Sequence, residues 1–508
     1  MLSVINICKN VHIHTLLVQQ IRFKSKTHWA KLRKKTSPKY KAQNHFDEFY
    51  GSVFGGKWPP MKEAMLRRSK YVAVVNNYGD AEETIAFLTE RGAHCLRALM
   101  SVQEEFHKQF PPTPTHTDTQ AASVEQFTAK VQSDDISSIY PQDNLPEKLE
   151  LSDMTIRSSE EEKEVEKQTV KSQTLEESLA SAQMDMSRII DPSMGVTSEA
   201  LYQYVPATQL KGMDEWVPES LHYSYYSKDT DFPLAIEPET EFSFPEHLKV
   251  YTYEMGSEWN MFPEPKRCKT NVLNYYPMDC GSVLAVLALC LSPGDRVLDL
   301  CSAPGGKALV ALQTLLPDVI VCNDSSISRT NRIGRIFRDY LIDFDTSNSW
   351  RERVLISTRD GRDFTDDQGF DKVLVDAPCT TDRRTINQDA NLVYRLGRVK
   401  DRLSLPDVQP YLLTNALKLV RVGGAVVYST CSLSPVQNDG VVHMALKHAF
   451  ETHGIIATVK DLSAPFASLA GTLSLAAGSI APRYGQLVTP TNDANFGPSY
   501  ITRLVRVK

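Results

Sequence analysis

Two cysteines each close an apolar run that reads as a strand: Cys379 in "KVLVDAPCTTD" and Cys431 in "GAVVYSTCSLSP". Cysteine is among the most buried residue types, so a thiol at a strand end is most often a small packed hydrophobe. The surroundings of this pair argue against that. Pro378 restricts the turn that carries Cys379, and two adjacent strands would bring both thiols to the same cleft. A free thiol is only a few per cent thiolate at neutral pH and is still a strong nucleophile. One task suits it well: addition to carbon 6 of a pyrimidine, which makes carbon 5 nucleophilic enough to take a methyl group from a sulfonium donor.

The other strand-like ends carry acids. Asp299 leads into "CSAPGGK", Asp324 ends the second run, Asp360 follows the third and Asp376 ends the fourth. Gly305 and Gly306 let backbone approach a ligand closely, and Lys307 opens the helix behind them. The turn is neither a Walker loop nor a GxGxxG loop. A Gly-rich turn after a first strand, with an acid closing the next strand, matches a nucleoside ligand: Asp324 can accept both ribose hydroxyls, and Asp360 can accept from an adenine amino group. A single carboxylate of this kind is commonly a helix cap or an ion-pair partner. Four at successive strand ends are hard to explain that way.

These residues need a scaffold that aligns strand ends. The runs "RVLDL" (296–300), "VIVCND" (319–324), "RVLIST" (353–358), "KVLVDAP" (372–378) and "GAVVYST" (424–430) alternate with helical patterns such as "KALVALQTLL" and "VQPYLLTNALKLV". Continuous apolar strands separated by helices predict an α/β fold with a mainly parallel, doubly wound sheet covered on both faces. Ligands of such sheets sit outside the carboxyl ends of the strands.

"LDLCSAPGGK", "CNDSSISR", "TRDGRDF", "LVDAPCTTDRR" and "VVYSTCSLSPVQND", in this order, resemble the successive motifs of the Nol/Nop/Sun-type RNA cytosine-5 methyltransferases, Rossmann-like enzymes that use S-adenosylmethionine. The likeness covers roughly residues 270 to 508. "HFDEFYGSVFGGKWPPMKEAML" and "NFGPSYITRLVRVK" further resemble the mitochondrial ribosomal-RNA branch of the family. The resemblance implies that Cys431 is the nucleophile and that Cys379 assists release of the methylated RNA. Chemistry alone does not assign the pair, because DNA cytosine methyltransferases use the cysteine of the PC motif as nucleophile. It further implies that Cys301, Pro304, Gly305, Gly306 and Lys307 line the cofactor's amino-acid end, and that Asp324 binds the ribose with Arg329 in the same motif. Asp360 and Gly361 then lie by the adenine, and Asp376 meets both the reactive end of the cofactor and the target base. "SPVQND" departs from the more usual "SPxENE", which puts the contacts of Gln437 and Asp439 in doubt.

The remaining chain divides by composition. Residues 1–44 hold no Asp or Glu but ten Lys and Arg, and are expected to be a mitochondrial transit peptide and basic arm. Residues 45–109 are expected to be a small, mainly helical region, and 110–195 an acidic disordered insertion. Residues 196–280 extend the catalytic domain at its N-terminal side, and 281–508 form the methyltransferase domain. Nine cysteines without a CxxC pair or zinc-finger spacing argue against a structural metal and a disulfide framework. No apolar run is long enough to span a membrane.

A base attacked at carbon 6 must be single-stranded or flipped out, and Arg383, Arg384, Arg395, Arg398 and Arg402 are candidates to hold RNA phosphates beside the cleft. The resemblance implies mitochondrial small-subunit ribosomal RNA as substrate, the mitochondrial matrix as location, ribosome assembly intermediates as the setting and a helical-repeat partner of the mitochondrial termination-factor family. Two alternatives remain open: mitochondrial transfer RNA as substrate, and an RNA-binding assembly factor in which methylation is incidental.

Overall fold

The computed structural model of the 508-residue chain describes residues 37–109, 230–257, 261–389, 393–395 and 398–508. The basic arm up to residue 36, the acidic stretch 110–195 and residues 196–229 lie outside the described residues. Those from 37 to 104 and from 230 onward belong to one compact unit.

In chain order, β1 (Val72–Val75) and β2 (His94–Cys95) precede β3 (Ile236–Pro238), β4 (Val250–Thr252) and β5 (Tyr275–Met278). Four of these make a small antiparallel sheet in the order β2-β4-β1-β5. The large sheet is built from β3 and β6 (Arg296–Asp299), β7 (Val319–Asn323), β8 (Val354–Ser357), β9 (Phe370–Asp376), β10 (Val420–Thr430), β11 (Ala457–Asp461), β12 (Gln486–Val488) and β13 (Ser499–Arg506). Its order is β3-β11-β13-β10-β9-β6-β7-β8, with β12 pairing to β13. The five strands from β10 to β8 along that order run parallel. The chain's last strand, β13, enters antiparallel between β10 and β11.

Alternation along the strands builds two cores, because successive side chains point to opposite faces. Leu298, Val373, Val375 and Val426 pack into one apolar cluster, and Val297, Leu374 and Val427 into the other. The first face is covered by α1 (Pro38–Phe54) and a helix at Leu405–Leu419, and the second by the helices at Cys280–Leu287, Gly306–Gln313 and Ile327–Tyr340.

Two sequence boundaries change. Helix α1 begins before residue 45, and it buries Ala42, Phe46, Tyr50 and Phe54, a four-residue spacing that keeps one face on the core. The expected basic arm therefore gives way to folded chain by Pro38. The region 45–109 is helical in most of its residues, but it carries β1, which pairs with β4 and β5 from the 196–280 segment. Neither stretch is a separate unit, since each supplies half of the small sheet.

Candidate active site

The turn after β6 is shaped by close approach. Gly305 has φ 109°, and a Cβ there would meet Ile333 at 3.2 Å, while a Cβ on Gly306 would sit 2.9 Å from the Tyr276 hydroxyl. Gly305 N–H donates to the Ser302 carbonyl (2.7 Å), and α2 (Gly306–Gln313) starts directly behind it. Asp324, 2% exposed, accepts Ser326 N–H (3.1 Å) and faces Arg329 at 3.3 Å. Arg329 also donates to the Ala303 carbonyl (3.1 Å), so one guanidinium joins the ribose candidate to the Gly-rich turn. Cys301 is half-buried under the same turn, and burial pushes its thiol far up, consistent with a packed group. Pro304 is exposed at the tip. Asp360 accepts from the Arg362 guanidinium (2.7 Å), which holds its carboxyl below the usual range. The buried Gly361 beside it leaves no room for a Cβ, which would meet Leu412 at 2.8 Å.

Asp299 is 1% exposed, and neither of its carboxylate oxygens has a hydrogen-bond partner, nor does the buried Ser302 hydroxyl. Burial and then the charge of Asp376 push this carboxyl up to about 7. A buried acid and hydroxyl left unmatched at a Gly-rich turn fit a ligand bearing an ammonium, as the amino-acid end of S-adenosylmethionine does. A pH effect follows. The unfolded chain gives up this proton near pH 4 and the folded protein only near 7, so ligand-free stability falls as pH rises through that window. Asp299→Asn is expected to flatten this slope in thermal melts from pH 4 to 8 while weakening S-adenosylmethionine binding. An unchanged slope would show that Asp299 is not the group responsible.

The two cysteines meet at the ends of neighbouring parallel strands, where Asp376 is in register with Ser429. Their Sγ atoms are 3.2 Å apart, and the Cys431 N–H points at the Cys379 sulfur (3.4 Å). Cys379 is buried, and Cys431 is the more exposed residue of the two although its thiol sits against the protein. Two sulfurs this close cannot both be thiolates at low cost. The Cys379 sulfur, then burial and the charge of Asp376, push the Cys431 thiol well up, and the Lys307 ammonium pulls the other way. Lys307 Nζ lies 2.7 Å from Asp376 Oδ2, and Ser429 Oγ donates to Asp376 Oδ1 (3.0 Å). Burial works against the Lys307 ammonium, but Asp376 outweighs it and raises its pKa.

Sequence reasoning missed the group that ties these loops together. Asp382, the first residue of α3 (Asp382–Asn387), is completely buried and accepts from Tyr50 Oη (2.5 Å), Thr380 Oγ1 (2.5 Å), Leu433 N–H (2.7 Å) and Ser432 Oγ (3.2 Å). Its own N–H donates to the Cys431 carbonyl (3.2 Å). An acid three residues past a strand-end cysteine was the available signal. Gln437 resolves the doubt over "SPVQND": its oxygen accepts the Thr380 N–H (3.1 Å) and its nitrogen donates to Thr380 Oγ1 (3.1 Å) and Ser432 Oγ (3.4 Å). Asp439 faces away into a buried set with Tyr500 (2.5 Å) and Tyr484 N–H (3.2 Å).

The five arginines do not form one phosphate surface. Arg383 is turned inward, donating to the Gly497 carbonyl (2.6 Å) and to Asn495 Oδ1 (2.7 Å), because its helix packs beside the loop before β13. Arg402 is 6% exposed with its guanidinium 4.0 Å over the Tyr394 ring. Arg384, Arg395 and Arg398 are exposed; Arg384 bonds Gln388 (2.9 Å) and Arg398 pairs with Asp401 (2.7 Å). Among the described residues no cluster of metal-ligating side chains occurs, and no helix is long and apolar enough to cross a membrane.

A mainly parallel, doubly wound sheet with a Gly-rich turn after one strand and acids at the ends of its neighbours defines the class of S-adenosylmethionine-dependent methyltransferases. A family model described as 16S rRNA methyltransferase RsmB/F matches residues 286–466. The chain is 32% identical over 499 residues to the 5-cytosine rRNA methyltransferase nsun-4 of Caenorhabditis elegans, covering 96% of this chain and 97% of that protein. It is 37% identical over 301 residues to the bovine 5-cytosine rRNA methyltransferase NSUN4, covering 59% of this chain and 76% of that one. A crystal structure of NSun6 from Pyrococcus horikoshii with SFG aligns at TM-score 0.38 and 24% identity, over 49% of this chain and 57% of that one. The chain belongs to this family of RNA cytosine-5 methyltransferases, and S-adenosylmethionine is its methyl donor.

Proposed function

We propose that the enzyme methylates carbon 5 of a cytosine in mitochondrial small-subunit ribosomal RNA, through a covalent bond between Cys431 and carbon 6 of the base. The observation that carries this reading is the pair of sulfurs 3.2 Å apart beside the Lys307–Asp376 ion pair. Bound S-adenosylmethionine supplies an electrophilic methyl group. Asp299, Asp324 and Asp360 are assigned to its amino-acid end, ribose and adenine, with Arg329 bracing Asp324 and Gly361 giving room. Asp376, neutralised by Lys307, is assigned to the exocyclic amino group of the cytosine.

The Cys431 thiol first gives its proton to solvent. The Cys431 sulfur bonds to carbon 6, and the electron pair released at carbon 5 would take up the methyl group. That group's bond to the donor's sulfonium sulfur would break with its electrons left on that sulfur as a neutral thioether. Once Cys379 has lost its proton to solvent, it takes the proton from carbon 5. The electron pair of that broken bond restores the 5,6 double bond and expels the Cys431 sulfur as thiolate.

The acid-free basic residues 1–44 support a mitochondrial matrix location, and the nematode and bovine relatives, named as rRNA methyltransferases, support ribosomal RNA as substrate. A role in ribosome assembly, with a termination-factor-type helical-repeat partner that supplies RNA affinity, extends the reading. Bisulfite sequencing of mitochondrial RNAs after loss of the protein tests the substrate. One 5-methylcytosine should disappear from the small-subunit ribosomal RNA, with transfer RNAs unchanged; loss confined to a transfer RNA would move the assignment there. The partner tests separately, since full activity of the lone protein on that RNA would remove the need for it.

A further inference from the structure

A cavity of about 310 Å³ lies beside the two cysteine loops, and neither Cys431 nor Asp376 lines it. Its floor belongs to those loops: Thr380 directly follows Cys379, and Ser434 lies just beyond Cys431. Its walls come from elsewhere. Phe46, Phe49 and Tyr50 project from α1, and Tyr394 and Arg402 from the segment that follows α3. The Arg402 guanidinium lies over the Tyr394 ring, and the exposed Lys400 stands at the rim, where Asp407 supplies one acid against the two bases.

We propose that this cavity receives an unstacked nucleobase of the RNA substrate, from a nucleotide flanking the target cytosine. This rests on the substrate being an RNA, whichever RNA it is. A base attacked on its face must leave the stack, and its neighbours lose a stacking partner when it does. Aromatic rings and arginine planes are the side chains that take up splayed bases. The volume is at the low end of that found for small-molecule sites, suited to a single base rather than a longer ligand. Lys400 at the mouth suits the phosphate that would follow the base out. The cavity also gives α1 a role in function: the helix brings an aromatic wall to the edge of the catalytic loops. Arg402, which sequence reasoning assigned to surface phosphates, acts instead from inside, as one plane of the stack.

Phe49 is half-buried and outside the catalytic set, so Phe49→Ala tests the cavity in the full-length protein. The probe is a synthetic RNA spanning a cytosine that the wild-type enzyme methylates, together with a series carrying a single abasic nucleotide at each flanking position. Phe49→Ala should raise KM for RNA about tenfold, leave kcat within about twofold and leave KM for S-adenosylmethionine unchanged; Phe49→Trp should restore the RNA value. One abasic position should cost the wild type a similar factor and cost Phe49→Ala nothing further. An unchanged KM for RNA would overturn the proposal, as would abasic penalties that multiply with the substitution at every position. A drop in melting temperature with an unchanged KM would mean the cavity is filled by the protein's own chain or serves packing alone. Methylation of the unmodified RNA by the wild type is read independently, so failure of the substrate assignment and failure of the base site remain distinguishable.

Discussion

Cys379→Ala enzyme, incubated with S-adenosylmethionine and its RNA, is expected to accumulate a species in which protein and RNA migrate together through a denaturing gel. Cys431→Ala is expected to give none and to lose methyl transfer by roughly 10⁴-fold or more, as removal of a nucleophile does. The asymmetry follows from geometry. Cys431 is the more exposed of the two and Cys379 is buried, so Cys431 is the one expected to reach carbon 6. Removing the Cys379 sulfur also removes the main cause that holds the Cys431 thiol up. Attack therefore survives, and alkylation of Cys431 by iodoacetamide should be faster at neutral pH in Cys379→Ala than in the wild type. What is lost is the group 3.2 Å away to which we assign removal of the carbon 5 proton. An adduct formed by Cys431→Ala and absent from Cys379→Ala would exchange the two roles. Adducts from neither variant, with both inactive, would point to a site that needs the pair intact before any bond forms.

The parallel half of the sheet was legible because its inner strands are largely buried on both faces and so read as unbroken apolar runs, while the edge strand Val354–Ser357 keeps an apolar sequence despite exposing Leu355 and Ile356. Arg296–Asp299, Val319–Asn323 and Phe370–Asp376 lie within a residue or two of the runs that predict them. Their ends carried the site, since a parallel sheet puts all its carboxyl ends on one side. The last strand was not legible for the opposite reason. In "SYITRLVR" Thr502 and Arg503 are buried at 0% and 2%, with Arg503 paired to the buried Glu239 from a distant segment. A polar residue whose partner is 264 positions away has no local signature, and it breaks the apolar pattern that would otherwise announce a strand. Val72–Val75 was hidden similarly: four apolar residues between helices cannot be told from a helix segment until their partners, Tyr275–Met278 and Val250–Thr252, are known. Among the candidate site residues, those named from sequence are the ones whose chemistry is carried by their own motif. Asp382 was not, because its importance is that donors from three separate segments converge on it.

That convergence predicts the second large effect. Tyr50 from α1, Thr380 from the turn after Cys379, and Ser432 and Leu433 from the loop after Cys431 all donate to one buried carboxylate. Asp382→Ala strands these donors where water cannot replace the acceptor. With each buried unmatched group worth about 1–3 kcal/mol, the loss should be roughly 3 kcal/mol or more, a large share of the stability of a typical domain. Catalysis should suffer beyond folding. The same carboxylate fixes the loops on both sides of the 3.2 Å sulfur contact, and misplacement by about an ångström is enough to cost roughly 10²-fold in rate. Asp382→Asn separates the two effects: it keeps the volume and one acceptor oxygen, so the protein should fold, but its amide nitrogen cannot accept from the remaining donors. Its kcat should fall at least about tenfold while its affinity for S-adenosylmethionine holds, because Asp324 and Asp360 stand on other strand ends. Tyr50→Phe, which removes a single donor, should cost about 1 kcal/mol and little activity. If Asp382→Asn kept the wild-type kcat and melting temperature, these bonds would be incidental to the site, and the spacing of the sulfurs would have to be credited to the strand register of Phe370–Asp376 against Val420–Thr430 alone.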